Sequence, residues 1–383
     1  MINENFIYIG DGNLETSKYS NYTTNILTEN HIKNLDLYGF TIINNILDDN
    51  SVIDYIDEIW STIENSDLVK PPQRNMGEFS NKDDINMYKK KWNIPGKEMC
   101  MLNFAPIFHL KSTWKIRQDP ELYEIFSKLY NNSKLWCTLD RVNIKPPDMG
   151  KTGNLHWDWN IYSDKNPGFQ SIYNLTDRYF ACIPGSNKKQ WLSEFKNVYS
   201  HDIFNEHVDE NTCFLSLNKK LDKTLWDLHK KIKIIHCPKN SLLIFTSRLL
   251  HAVSKNTTNK IQIASYVGYI PAKIRMKMAV NDMVINWTGW DHFNPYVKYN
   301  DDELQDRIRS YKSGNAPYCL PGGHRFNYIP RRAIPYYCKL WKKDKIKKHK
   351  RTNNNWIIEN ISINYKPPEI TELGEKLLGI KKW

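Results

Sequence analysis

No apolar run in this 383-residue chain approaches the roughly 18 residues that a membrane-spanning helix needs. Residues 1–12 carry no charged flank leading into a long apolar core, so a secretory leader is not expected either. Cysteine is scarce and unpaired in pattern. The seven residues Cys100, Cys137, Cys182, Cys213, Cys237, Cys319 and Cys338 include no C-x-x-C and no close pair, which argues against a disulfide framework and a thiolate zinc site. Neither a G-x-x-x-x-G-K-[ST] nor a G-x-G-x-x-G phosphate loop occurs, and there is no internal repeat. Acidic side chains are outnumbered, 42 against 54 Lys and Arg. The resulting formal charge of +12 suits anionic partners: nucleic acid, acidic lipid, or carboxylated and phosphorylated metabolites. Together these point to a soluble, intracellular and cytoplasmic protein with reduced thiols.

Apolar residues make up 40% of the chain and aromatics 13%, with 13 Trp and 22 Tyr, enough for a large packed core. Gly39 marks a turn before a strand-like run over residues 40–46. Val52, Ile53, Ile56, Ile59, Trp60 and Ile63 then recur at helical spacing behind a polar start. Residues 71–95 read as loop and residues 121–130 as a second helix. Strand-like runs follow at 135–144, 154–159, 169–175, 180–183, 231–237, 241–246 and 260–270, the pattern of an all-β centre. Residues 190–230 read as a loop beside the mouth of that centre, and residues 271–295 as partly helical.

The chemistry-bearing pattern is Leu155-His156-Trp157-Asp158-Trp159-Asn160. On a strand, His156 and Asp158 point to one face and Trp157 and Trp159 to the other. The tryptophans are therefore core filling, and Asn160 is either a ligand contact or a strand-end turn residue. His251 follows an apolar strand where it runs out into a turn. Two imidazoles and a carboxylate make the facial triad that holds non-haem Fe(II) and leaves other coordination positions open. His201 and His207, with Glu206 between them, share no helical face and form no H-E-x-x-H, so a solvated loop is the better reading there.

The segments Arg141-Val142-Asn143-Ile144-Lys145-Pro146-Pro147-Asp148 and Leu155-His156-Trp157-Asp158 resemble the strand and metal-ligand turn of phytanoyl-CoA dioxygenase-like proteins. Phe169-Gln170 to Asp177, Cys182-Ile183-Pro184-Gly185-Ser186, Ser241 to His251 and Tyr266 to Ala272 match later parts of that family in the same order. So does Thr371-Glu372-Leu373-Gly374 with Lys376-Leu377-Leu378-Gly379. The resemblance runs over residues 35–295 and 366–383. It implies a mainly β fold with flanking helices, a double-stranded β-helix of the jelly-roll or cupin-like barrel type. It also implies Fe(II) as cofactor held by His156, Asp158 and His251, 2-oxoglutarate as co-substrate, and hydroxylation of a small molecule by dioxygen with release of succinate and CO2. The domain plan that follows is an extension at 1–34, the oxygenase domain at 35–299, a second extension at 300–365 and a closing segment at 366–383.

One departure bears on the co-substrate. The family's carboxylate-binding arginine after the second histidine is missing; Lys260 and Gln262 stand there, and no Arg lies between His251 and Arg275. A lysine is a point charge and an amide is neutral, so neither reproduces the planar fork of a guanidinium. Lys260, with Gln262 on the same strand face, is the expected substitute, with Arg141, Arg248 and Tyr173 as neighbours. The link between Asp177 and Phe180 is short and reads as a tight hairpin. Two other readings stand beside this one. The missing arginine suits an inactive barrel with a binding or structural role. The basic run at 339–351 suits an oxygenase recruited to nucleic acid, protein or an anionic surface, although such runs are more often solvated.

Overall fold

The structure, a computed structural model, describes residues 26–64, 73–92, 101–102, 110–137, 142–150, 155–162, 168–204, 208, 215–217, 228, 230–252, 254–272, 369–377 and 383. Helix α1 (Glu29–Tyr38) is capped by Thr28 and ends at Gly39, whose φ of 83° places it in the left-handed region. A side chain there would be strained by the positive φ and would have to displace its neighbours. A Cβ on Gly39 would lie 2.7 Å from Asn187 Oδ1 and 2.8 Å from a Leu249 methyl, so glycine lets α1 turn tightly into β1 (Phe40–Asn44). Helix α2 (Asp49–Glu64) buries Val52, Tyr55, Ile56, Ile59, Trp60 and Ile63 along one stripe, as the spacing predicts.

Further along are α3 (Lys82–Lys91), β2 (Met101–Leu102), α4 (Lys111–Arg117), α5 (Pro120–Tyr130), β3 (Leu135–Cys137), β4 (Val142–Lys145), β5 (His156–Trp157), β6 (Phe169–Asn174) and β7 (Arg178–Cys182). After α6 (Lys189–Val198) come β8 (Leu215–Ser216), β9 (Lys233–Cys237), β10 (Ser241–Thr246), β11 (His251–Ala252), β12 (Gln262–Tyr266), β13 (Tyr269–Pro271) and α7 (Glu372–Leu377).

Eight of the strands are divided equally between two sheets. The larger has the order β1-β10-β6-β12-β4-β2 and the smaller β8-β5-β11-β7-β9, so β4, β6, β10 and β12 lie in one and β5, β7, β9 and β11 in the other. This is the antiparallel double-sheet arrangement of a jelly roll. The expected barrel takes the form of two sheets; among the described residues no ladder closes them into one.

Strand period fixes three apolar layers. Leu243 and Phe245 of β10 meet Phe180 and Cys182 of β7 and Ile235 of β9 between the sheets. Leu242 and Ile244 point the other way, against α2, α4 and α5. Outside the smaller sheet, Trp157 and Ala181 pack on Leu192 and Phe195 of α6.

Several expectations change in the folded chain. Helix α3 occupies part of the expected loop at 71–95: Asn81 Oδ1 accepts from the N–H groups of Asp83 and Asp84, and Tyr88 is its one buried residue. Its aromatic neighbours dock it, with Trp92 6.2 Å from the Trp60 ring in an edge-on arrangement. The expected loop at 190–230 contains α6, a 3-10 turn at His201–Ile203, and β8. The run at 260–270 is broken into β12 and β13, and the run at 135–144 contains β3 and β4. Helix α1 spans the expected boundary between residues 34 and 35. At the other end the closing segment returns to the helical layer: Trp383 Nε1 donates to Leu135 O at 2.8 Å, and its ring stacks on Tyr123. The expected helical region after 272 and the basic run at 339–351 lie outside the described residues. No helix among the described residues is long and apolar enough to cross a membrane.

Candidate metal centre and adjoining cavity

Strand register brings the two histidines together. Strand β11 pairs with β5 so that His251 faces His156, and with β7 so that His251 faces Cys182. The imidazole centroids are 4.3 Å apart. Asp158 follows β5 on the same face, and its Oδ2 lies 3.5 Å from His251 Nε2. One ligand atom from each of His156, Asp158 and His251 lies within 4.8 Å of the others, and all three residues are buried.

The His251 Nδ1–H donates to the Leu249 carbonyl at 2.9 Å, because a carbonyl can only accept. That bond fixes the tautomer and leaves the Nε2 lone pair directed at the cluster. A carboxylate exposed to only 1% has lost most of its hydration, and a shared cation restores a favourable environment for it. The donor set, two imidazole nitrogens and one carboxylate, fits a first-row divalent metal such as Fe(II) with coordination positions left over. Phe245 and Phe180 flank His251 at 4.9 and 5.8 Å and shield that side from water.

Trp157 points away, as its alternation with His156 predicts, and packs edge-on against Phe195 at 5.0 Å. Asn160 Oδ1 accepts from the Tyr162 N–H at 2.9 Å, so it serves the turn after the ligands.

A small cavity between the sheets, partly open to solvent, begins at His156 and His251. Its apolar wall is Ile172, Leu243 and Phe245, and its polar lining includes Asn174, Arg178, Ser254 and Tyr266. Arg178 is the residue that sequence reasoning missed. The supposed hairpin link is in fact the first residue of β7, and Arg178 faces Cys237 across the ladder to β9. The available signal was alternation: Arg178, Phe180 and Cys182 share the inner face.

The other expected contacts are distributed differently. Lys260 does not line the cavity: its side chain is 56% exposed, and its ammonium pairs with Glu78 at 2.9 Å. It precedes β12, in a turn where Asn256 Nδ2 donates to its carbonyl, so strand alternation does not aim it inward. The expectation of a carboxylate-binding Lys260 is corrected on that ground. Tyr173 is buried on the opposite face of β6, where its hydroxyl donates to Asn240 Oδ1 at 2.8 Å, so it is no neighbour of the cavity. Gln262 is 1% exposed on the same face of β12 as Ala264 and Tyr266, and its Nε2 has no hydrogen-bond partner among the described residues. Arg141 lies outside the described residues, as do Glu206 and His207.

No protein-family model matches the chain. A putative phytanoyl-CoA dioxygenase of Dictyostelium discoideum is 22% identical over 309 residues, covering 70% of this chain and 81% of the relative. Among solved structures, GlcNAc Inducible Gene 2 of Candida albicans is similar with a TM-score of 0.48 and 15% identity, over 86% of this chain and 87% of that one. EvdO2 of Micromonospora carbonacea, solved with 2-oxoglutarate, gives a TM-score of 0.42 and 14% identity over 65% and 93%. The chain is thus similar to phytanoyl-CoA dioxygenase-like proteins, and that similarity and the His-Asp-His cluster both point to the Fe(II)/2-oxoglutarate-dependent oxygenases.

Proposed function

We propose that this protein is an Fe(II)- and 2-oxoglutarate-dependent dioxygenase that hydroxylates a small-molecule substrate and releases succinate and CO2. The observation that carries the reading is the convergence of the neighbouring pair His156 and Asp158 with His251, which is remote from them in sequence, on one buried point at the head of a cavity. Ferrous iron, when bound, supplies the redox chemistry that couples decarboxylation of a 2-oxo acid to oxidation of a C–H bond by dioxygen.

The chain's own residues supply the setting. His251 is held by Leu249 O with its Nε2 turned toward Asp158, which contributes the negative charge. Phe180 and Phe245 dry one flank of the cluster. The enclosed position of the ligands, each less than 8% exposed, favours a small molecule over a duplex nucleic acid, which could not follow them between the sheets.

Anaerobic titration of the full chain with Fe(II) and then 2-oxoglutarate tests the reading, through the visible charge-transfer band of the metal–keto acid chelate. The band should form in the native chain and be absent from Asp158→Ala, and succinate should accumulate once oxygen is admitted. Iron binding without either signal would remove the oxygenase assignment.

A further inference from the structure

Arg178 is 6% exposed, yet its Nε and Nη1 are buried without a hydrogen-bond partner among the described residues. A buried guanidinium with unpaired donors is costly to the fold unless something supplies acceptors. Nothing on its own element does so. Asp177, one residue earlier, turns to the other side, where its Oδ1 meets His236 Nε2 at 3.2 Å and accepts from the Lys239 N–H at 3.0 Å. Cys237 lies opposite Arg178, but burial pushes its thiol up to about 12, so it is neutral at physiological pH in spite of the nearby cation. No residue lining the cavity is acidic. Of the other buried cations, Lys145 donates to Ser254 O, and Arg117 sits over the Trp114 ring and is not part of the cavity lining.

The location of these free donors says what would satisfy them. Arg178 lines the same cavity as His156 and His251, so one ligand filling it touches the metal site and the guanidinium together. Along β7, Cys182 lies opposite His251, and Arg178 stands four residues further on the same face, about 13 Å along the strand. A metal at the cluster, a short dicarboxylate and the reach of an arginine side chain fill that span. The wall between is apolar, from Ile172, Leu243 and Phe180, as suits the methylene chain of such a ligand.

We propose that Arg178 receives the distal carboxylate of the 2-oxo acid, supplying from β7 of the smaller sheet the guanidinium that the larger sheet lacks after His251. This rests on the oxygenase reading above. The planar fork of Arg178 suits bidentate pairing with a carboxylate, which neither exposed Lys260 nor neutral Gln262 provides. The co-substrate preference of this protein is therefore set by a residue on β7.

The test uses the full chain loaded anaerobically with Fe(II), reading affinity from the charge-transfer band for two probes. These are 2-oxoglutarate and 2-oxobutanoate, which has the same chelating head and no distal carboxylate. The native protein should bind 2-oxoglutarate about 10- to 100-fold more tightly, the range for a charge-assisted pair. Arg178→Gln should erase that preference by weakening 2-oxoglutarate alone, with 2-oxobutanoate and Fe(II) affinities within about twofold of native. Arg178→Lys should recover part of it. A preference retained in Arg178→Gln would overturn the assignment. So would equal binding of the two probes by the native chain, a comparison that needs no variant to fold. Bound Fe(II) with no band from either probe would instead remove the oxygenase reading, and this assignment with it.

Discussion

On the outer face of the six-stranded sheet, Ile43, Leu242, Ile244 and Ile263 meet α2, α4 and α5, and three tyrosines embedded there are hydrogen-bonded. Tyr173 donates to Asn240, Tyr55 to Ser265 and Tyr269 to the Arg117 carbonyl, at 2.7 to 2.8 Å. On the inner face the chain leaves donors unused: Gln170 and Gln262 on this sheet, and Arg178 across the gap, keep N–H groups without partners among the described residues. The same strands build both surfaces, one residue apart. Unmet groups also occur on the helical side, at the Tyr88 hydroxyl and Trp92 Nε1, so what sets the inner face apart is that its buried donor Arg178 lines the cavity.

Substitutions on the two faces should separate cleanly. The largest effect belongs to Asp158→Ala. Removing a group that only orients a metal-binding histidine costs about 10- to 100-fold in metal affinity, and removing a ligand should exceed that, with turnover lost and the thermal midpoint of the metal-free protein nearly unchanged. Next comes Trp60→Ala on the outer side, which deletes a fully buried side chain. It should destabilise the protein by about 3–5 kcal/mol in denaturant unfolding while the folded fraction keeps its Fe(II) affinity. If Trp60→Ala altered Fe(II) affinity as much as Asp158→Ala, the division of labour between the faces would fail.

A smaller effect is expected at the Asp177–His236 pair. The hydrogen bond from His236, aided by the Lys239 N–H, holds the Asp177 carboxyl below its usual range. A depressed folded-state value means the contribution is present above the unfolded value of about 3.9 and is lost as the pH falls through the folded one. Asp177 is two-thirds exposed, so the pair is worth well under about 1 kcal/mol after screening. His236→Ala should therefore narrow the stability difference between pH 6 and pH 3 only slightly, measured by urea unfolding at each pH. The smallest effect belongs to Lys260→Ala, which breaks an exposed pair with Glu78 and should leave 2-oxoglutarate affinity within about twofold.

Most of this plan is legible in the amino acids. Strand β10 is read to the residue, because a run buried on both faces is continuously apolar. The His-Asp-His cluster is legible because spacing and a turn after an apolar strand carry it. Helix α3 is not, since Lys82–Lys91 buries only Tyr88 and has no apolar stripe to read. Arg178 was hidden by its neighbours: a charged residue beside Asp177 looks like part of a turn, and only the pairing of β7 with β9 shows that the strand has already begun. Lys260 misled for the opposite reason, since continuing the alternation of β12 backwards ignores the turn held by Asn256.

The anchoring of the chain near β3 has a consequence for how this scaffold can change. The Ala272 N–H donates to Lys134 O, and beyond residues 273–368 Gln118 accepts from the Thr371 N–H while Trp383 bonds to Leu135 O. Departure and return are thus tied to adjacent points on one layer, away from the ligand cluster. Closure entropy rises only with the logarithm of length, about 0.6 kcal/mol per doubling. Extra length between those two moorings would accordingly add little closure cost, which makes this a position at which the protein could acquire new appendages apart from its His-Asp-His cluster.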